Sequence, residues 1–302
     1  MASDPEVPVV APHEWLFLSL NAPSLAFYAL VVVALARLRR TPPFDSTFFR
    51  LSLFLGVIDC LQMLNLTYVH HDTAPELLCR RWLRLPVGDF QLAASMVALL
   101  VAQQLLVPLI ALNRLVCILW PRVAGNKLFS QRFVSASVVG VLVCSAAFTL
   151  PIASVETTAT WNASSGAYDF EYAGEEIVQQ TMAVVGAATF LCCTLFSFVC
   201  YATATLALMR RRRGGKAAAS SGALHVEAKL TLCGLSTFAA QLLHVACVLL
   251  PIAAGVSSSV VKSVFASIGG NVFTWLNPYM LLACSSLFRS HFIDMYSCGR
   301  HR

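Results

Sequence analysis

The sequence predicts an all-α membrane protein: a seven-transmembrane helix bundle with its amino terminus outside and a short amphipathic helix after the seventh span. Composition, the length of the apolar windows and the placement of the basic residues predict it. Of 302 residues, 58% are hydrophobic and 12% charged, with a mean hydropathy of +0.71, whereas soluble domains carry about 25% charged residues. Apolar windows run over Trp15 to Ala36, Phe48 to Val69, Val87 to Leu119, Phe133 to Ala153, Ile177 to Met209, Leu230 to Pro251 and Val260 to Ala283. Each reaches the ~20 residues that cross a bilayer as a helix. None shows the ~10-residue alternation of an outer-membrane barrel, so helices must satisfy the backbone.

With the amino terminus outside, 17 of the 21 basic residues fall on the inner side, leaving only Arg80, Arg81, Arg84 and Lys262 outside. That is the positive-inside bias of a multi-pass protein. Acidic residues gather opposite, at Asp4, Glu6 and Glu14 and between spans four and five at Glu156, Asp169, Glu171, Glu175 and Glu176. The +6 net charge therefore reports topology, and no motif points to nucleic acid. The chain divides into an extracellular segment 1–14, a helical bundle 15–283 and a cytoplasmic helix and tail 284–302. Met1 to Glu14 lacks the basic start of a cleavable signal peptide, so span one is expected to act as the signal anchor.

Asn162-Ala163-Ser164 is a glycosylation triplet in the outer connection between spans four and five, whereas Asn65-Leu66-Thr67 falls inside span two and is read as a chance match. Most of the eleven cysteines lie in or at the ends of spans, Cys298 lies in the tail, and Cys79 alone is clearly outside, so no outer disulfide is expected. No Cys/His spacing suits a metal, and no cofactor motif or catalytic set is present.

Polar residues inside the spans carry the next inference. A helix from Val87 to Leu119 would be about 50 Å long, so it tilts or protrudes and brings Asn113 and Arg114 to the inner surface. Arg114 then either snorkels to headgroups or meets a partner. Asp59 lies about 16 Å from the inner end of span two, near the midplane, where a carboxylate has to face the interior and find partners. Span seven offers Asn277, Pro278 and Tyr279, with a proline kink that frees a carbonyl for an asparagine or water. Asp59, Asn277, Pro278 and Tyr279 thus read as a switch, or as a static polar contact between helices. In the outer half, Asp89, Gln91, Met96, Gln241, His244 and Asn271 suit a ligand pocket, with Phe265 and Phe273 nearby; the polar ones equally suit interhelical hydrogen bonds.

On the inner side, Arg210 to Arg213 followed by Gly214, Gly215, Lys216 and Ala217 to Gly222 read as a basic, then flexible, loop for an acidic partner or anionic lipid. Arg210 and Arg211 join Asn113 and Arg114 as candidate coupling residues. Glu227 is the one inner-end acid near the base of span six and is expected to hold Arg114 in the resting state. With both groups near water, that pair is worth about 1 kcal/mol. Leu287 to Met295 carries apolar residues at 287, 288, 292, 293 and 295, as an interfacial helix does, and Cys298 beyond it is a palmitoylation candidate.

Ser46 to Leu51 leading to Gly56-Val57-Ile58-Asp59, then Leu112-Asn113-Arg114 with Leu119-Trp120-Pro121, then Leu276-Asn277-Pro278-Tyr279 with Leu287-Phe288-Arg289, resemble the nematode serpentine chemoreceptors, most closely the gamma class, over nearly the whole chain. The resemblance implies a rhodopsin-like G-protein-coupled receptor of sensory neurons that binds an external small molecule and activates a heterotrimeric G protein. Its place would be the plasma membrane, as in a sensory cilium. Two departures stand out: Asn113 replaces the acidic residue usual before the arginine, and Tyr279 directly follows Pro278. The rival class is a small transporter or ligand-gated channel subunit. An inverted repeat or further buried ionisable pairs would favour it, and neither is visible.

Overall fold

The computed structural model describes residues 12–42, 44–71, 89–120, 131–153, 157–162, 167–172, 176–213, 221–255 and 259–297. Over these the chain forms α1 (Pro12–Leu38), α2 (Thr47–His71), α3 (Asp89–Leu119), α4 (Gln131–Ala153), a hairpin of β1 (Thr157–Asn162) and β2 (Ala167–Tyr172), α5 (Glu176–Arg213), α6 (Ser221–Ala253), α7 (Ser259–Cys284) and α8 (Ser286–Tyr296).

Ser19–Leu38, Thr47–Asn65, Val97–Leu119, Arg132–Leu150, Val184–Arg211 and Val226–Pro251 are long and apolar enough to cross a membrane. The 26 residues of α7 make about 39 Å of helix. α3 packs against α2, α4, α5 and α6, and so stands at the centre; α6 lies along α7. The main apolar cluster joins Tyr28, Val31, Leu55, Met63, Leu106, Ile110, Val138, Leu281 and Phe288 across six helices. α4 and α5 instead turn apolar side chains outward, with Val143, Leu150, Val184 and Val199 each at least 60% exposed. Such faces are a liability in water and the natural surface in lipid, where packing and interior polar bonds hold helices together.

Ser285 separates α7 from α8: its hydroxyl accepts from the Phe288 amide at 3.2 Å and caps the new helix. α8 buries Phe288 under Phe44 and exposes Leu287 and Ile293, the two-faced pattern of an interfacial helix. Arg289 donates to the Leu282 and Ala283 carbonyls at 3.3 Å, placing a cation on the negative end of α7.

Two stretches differ from the sequence reading. Arg210 to Arg213 are not loop but the last turn of α5, because arginine is a good helix former and a cation favours a helix carboxyl end. α6 likewise begins at Ser221, inside the stretch read as flexible. Between α4 and α5, Thr157 to Asn162 pairs antiparallel with Ala167 to Tyr172, Thr157 opposite Tyr172 and Asn162 opposite Ala167. Its threonines and aromatics are strand formers, and nothing in the span reading anticipated it. Residues 1–11, Cys79 and Cys298 lie outside the described residues.

Candidate functional site

The first element of the site is a hydrogen-bonded hub on Asp59, which is 1% exposed in the middle of α2. Asp59 Oδ2 accepts from the Tyr28 hydroxyl of α1 and from Asn277 Nδ2 of α7, the latter at 3.0 Å. Its Oδ1 accepts from Gln103 Nε2 of α3 at 2.6 Å. Gln103 Nε2 also lies 3.5 Å from Thr274 Oγ1 of α7, and Asn277 Oδ1 accepts from Thr237 Oγ1 of α6 at 2.6 Å. One carboxylate therefore gathers five helices, and each bond is strong because water is excluded. Gly56 makes the approach possible: a Cβ there would stand 2.9 Å from Val32 Cγ2 and 3.3 Å from Tyr28 Cε2, so the small residue lets α1 close on α2 one turn before Asp59.

The sequence-predicted pair Asp59 and Asn277 is thus in contact. The Asn277 amide is engaged by Asp59 and Thr237, not by the carbonyl that Pro278 frees. A cavity of about 30 Å³ lies beside the hub, lined in part by Tyr28, Thr237, Asn277 and Pro278. Tyr279 is elsewhere: 44% exposed, it stacks on Phe27 of α1 at 4.8 Å, because the residue after Asn277 plus one helical step faces the outside of the bundle.

The second element is at the inner ends of α3 and α6. Arg114 does not snorkel. Its side chain is 3% exposed, with Nη1 donating to Glu227 Oε2 at 3.1 Å and Nη2 to Asn113 Oδ1 at 2.8 Å. The guanidinium lies 4.4 Å from the centre of the Phe48 ring, which adds a cation–π contact from α2. Asn113 is fully buried and supplies a carbonyl oxygen where a carboxylate is lacking. The expectation that both charges stand near water holds only for Glu227, which is 36% exposed. Arg210 and Arg211 are exposed on the last turns of α5 and take no part in this pair.

The third element lies further out. Gln241 of α6 donates to Gln104 Oε1 of α3 at 2.6 Å, and both side chains are fully buried. His244, one turn on, is 4% exposed, with its ring centre 5.9 Å from Phe273 and 6.2 Å from Phe190. The Gly269 backbone presses against it, so that a Cβ there would sit 2.9 Å from His244 Cα. No side chain among the described residues hydrogen-bonds either imidazole nitrogen, and the polar group against the ring is the Gly269 backbone. Asn271 is buried two residues further along α7. Asp89, Gln91 and Met96 fall on the first turns of α3, and Asn162 ends β1, but their side chains lie outside the described residues. Asn65, of the second glycosylation triplet, is 9% exposed in α2 and donates to Ser95 Oγ at 2.9 Å, which removes it as an acceptor of sugar.

The sequence reading missed Tyr28, Gln103, Gln104, Thr237 and Thr274. The Gln103-Gln104 pair carried a usable signal, since two amides in the middle of an apolar span need interior partners. Tyr28 and the two threonines are ordinary in a span and carried none. Among the described residues no cluster of three metal-ligating side chains occurs.

The family described as serpentine type 7TM GPCR chemoreceptor Srv matches residues 17–298. No curated protein matches the chain. Srv is a chemoreceptor family, not an enzyme family. Because that match runs from α1 through α8, the chain belongs to the Srv family of serpentine 7TM chemoreceptors and is a multi-pass, GPCR-like chemosensory receptor.

Proposed function

We propose that this receptor crosses the plasma membrane seven times with its amino terminus outside, binds an external small molecule in the outer half of the bundle, and activates a heterotrimeric G protein. The Arg114–Glu227 pair, 3.1 Å long between the inner ends of α3 and α6, carries this reading. It is a contact that must part before a partner's helix can enter between α3 and α6. Once parted, the guanidinium fork is free to bind that helix's carboxyl end.

Ligand acts at the other end of the same helices. Gln104, Gln241 and His244 hold unused hydrogen-bonding atoms between α3 and α6, and Phe273 links them to α7. A ligand that engages these atoms better in one helix arrangement shifts the population toward it. The Asp59 hub, which touches α3, α6 and α7 together, relays the shift inward. A glycan on Asn162, on the outer hairpin, fits the same orientation, as do the buried Asn113 and the exposed Arg210 and Arg211 as parts of the inner coupling face.

The test is a G-protein dissociation assay on cells displaying the receptor, run against a panel of volatile and soluble metabolites. A wild-type response that Arg114→Ala abolishes, at equal surface level and with ligand still bound, is expected. Full coupling by Arg114→Ala would overturn the proposal.

A further inference from the structure

A cavity of about 470 Å³ opens at the ends of α1, α2 and α4, on the side of the bundle that holds Arg114. Its walls include Arg39, Arg40, Asp45, Arg50, Phe54 and Ser135. Three guanidinium groups against one carboxylate leave it strongly cationic. Among the described residues none of the three guanidiniums is held in an ion pair or side-chain hydrogen bond. Its volume falls within the roughly 300–1,000 Å³ typical of small-ligand sites. Part of its lining is apolar: Phe54 is 38% exposed, and Leu53 of α2 and the buried Val134 of α4 also line the cavity.

We infer that this cavity binds the phosphorylated headgroup of an anionic lipid, with Arg39, Arg40 and Arg50 on the phosphates, the Ser135 hydroxyl as a further donor and the acyl chains lying over Phe54. Guanidinium is the side chain suited to bidentate phosphate binding, and basic pockets between helices at the inner membrane surface are where such headgroups settle. A soluble phosphate would use the same guanidiniums, but it gains nothing from the apolar part of the lining. A bound headgroup would cross-link the α1–α2 turn to α4. Because Phe48, the partner of Arg114, lies half a turn from Arg50, it would also steady the resting inner face. The inference needs no G protein, so it stands or falls apart from the signalling proposal.

The test uses the full-length receptor in nanodiscs of phosphatidylcholine with either 5% phosphatidylinositol bisphosphate or 20% phosphatidylserine, matched for charge. Lipid retained per receptor is read by native mass spectrometry after detergent extraction. Wild type should retain the phosphoinositide in preference to the serine lipid. Arg39→Gln with Arg50→Gln should cut retention about twenty-five-fold, at about five-fold for each cation near the surface. Arg39→Lys with Arg50→Lys should recover part of it, and Arg37→Ala, in the last turn of α1 and off the cavity wall, should change nothing. Thermal melting of each variant separates lost binding from lost fold. Equal retention of the two lipids, an Arg37 effect as large as the double variant's, or displacement by inositol trisphosphate at equal affinity would each overturn the inference.

Discussion

Replacing Glu227 by alanine removes the acceptor that, among the described residues, ties α6 to Arg114 and leaves the Asn113 and Phe48 contacts in place. A hydrogen bond to a charged group contributes about 1.5–3 kcal/mol. Because Glu227 is 36% exposed and partly screened, about 1–2 kcal/mol is the appropriate loss from the resting state. That exceeds the value for two exposed charges because Arg114, at 3% exposure, has no water to take the place of the carboxylate. An energy of this size moves a two-state equilibrium about five- to thirty-fold. A receptor resting at about 1% active would rise to about 5–25%. The assay is ligand-free G-protein dissociation, normalised to surface receptor. Glu227→Gln, which keeps an acceptor but not the charge, should fall between wild type and Glu227→Ala. Unchanged basal activity in both variants at normal surface level would refute the role of the pair.

The Asp59 hub separates geometry from charge. In Asp59→Asn the new amide can donate to Gln103 once that side chain turns its otherwise unused Oε1 inward, so folding should cost only about 1 kcal/mol and surface expression should stay near normal while signalling changes. Asp59→Leu strands the Tyr28, Gln103 and Asn277 donors in the interior at about 1–3 kcal/mol each, and surface expression measured by flow cytometry should collapse. Equal loss of expression in the two variants would contradict this. Gly269→Ala should disturb the α6–α7 contact at His244 and lower the melting temperature of purified receptor, because the new methyl would meet backbone at 2.9 Å; an unchanged melting curve would show that α7 shifts freely. A tag at Ala2 should be stained on intact cells and one after Arg302 only after permeabilisation; the reverse pattern would remove the receptor orientation.

Much of this arrangement is legible in the sequence, for identifiable reasons. Spans announce themselves because lipid tolerates only long apolar helices or closed barrels, and the barrel alternation is missing here. Asp59 stands out because a midplane carboxylate must have interior partners, and Asn277 beside Pro278 is a natural one. Glu227 could be matched to Arg114 by depth alone. What stayed hidden depends on rotation about helix axes. Tyr279 follows Pro278 in sequence yet points to Phe27, and the burial of Arg114 under Phe48 follows from how α2 leans on α3. Short motifs led to the serpentine chemoreceptors, while the class is named by the family match as Srv. The outer hairpin was hidden because span reading weighs hydropathy and ignores strand propensity in connections.

In the proposed mechanism the inner ends of α3 and α6 part when the receptor turns on. The direct measurement is a spin-label distance between Trp120, just past α3, and Val226, beside Glu227, both more than half exposed, with labels carried on unnatural amino acids so that the native cysteines stay untouched. One short distance is expected in the resting wild type, a second, longer population in Glu227→Ala, and growth of that population when the carboxyl-terminal peptide of a G-protein α subunit is added. A single distance that neither the substitution nor the peptide alters would contradict that mechanism.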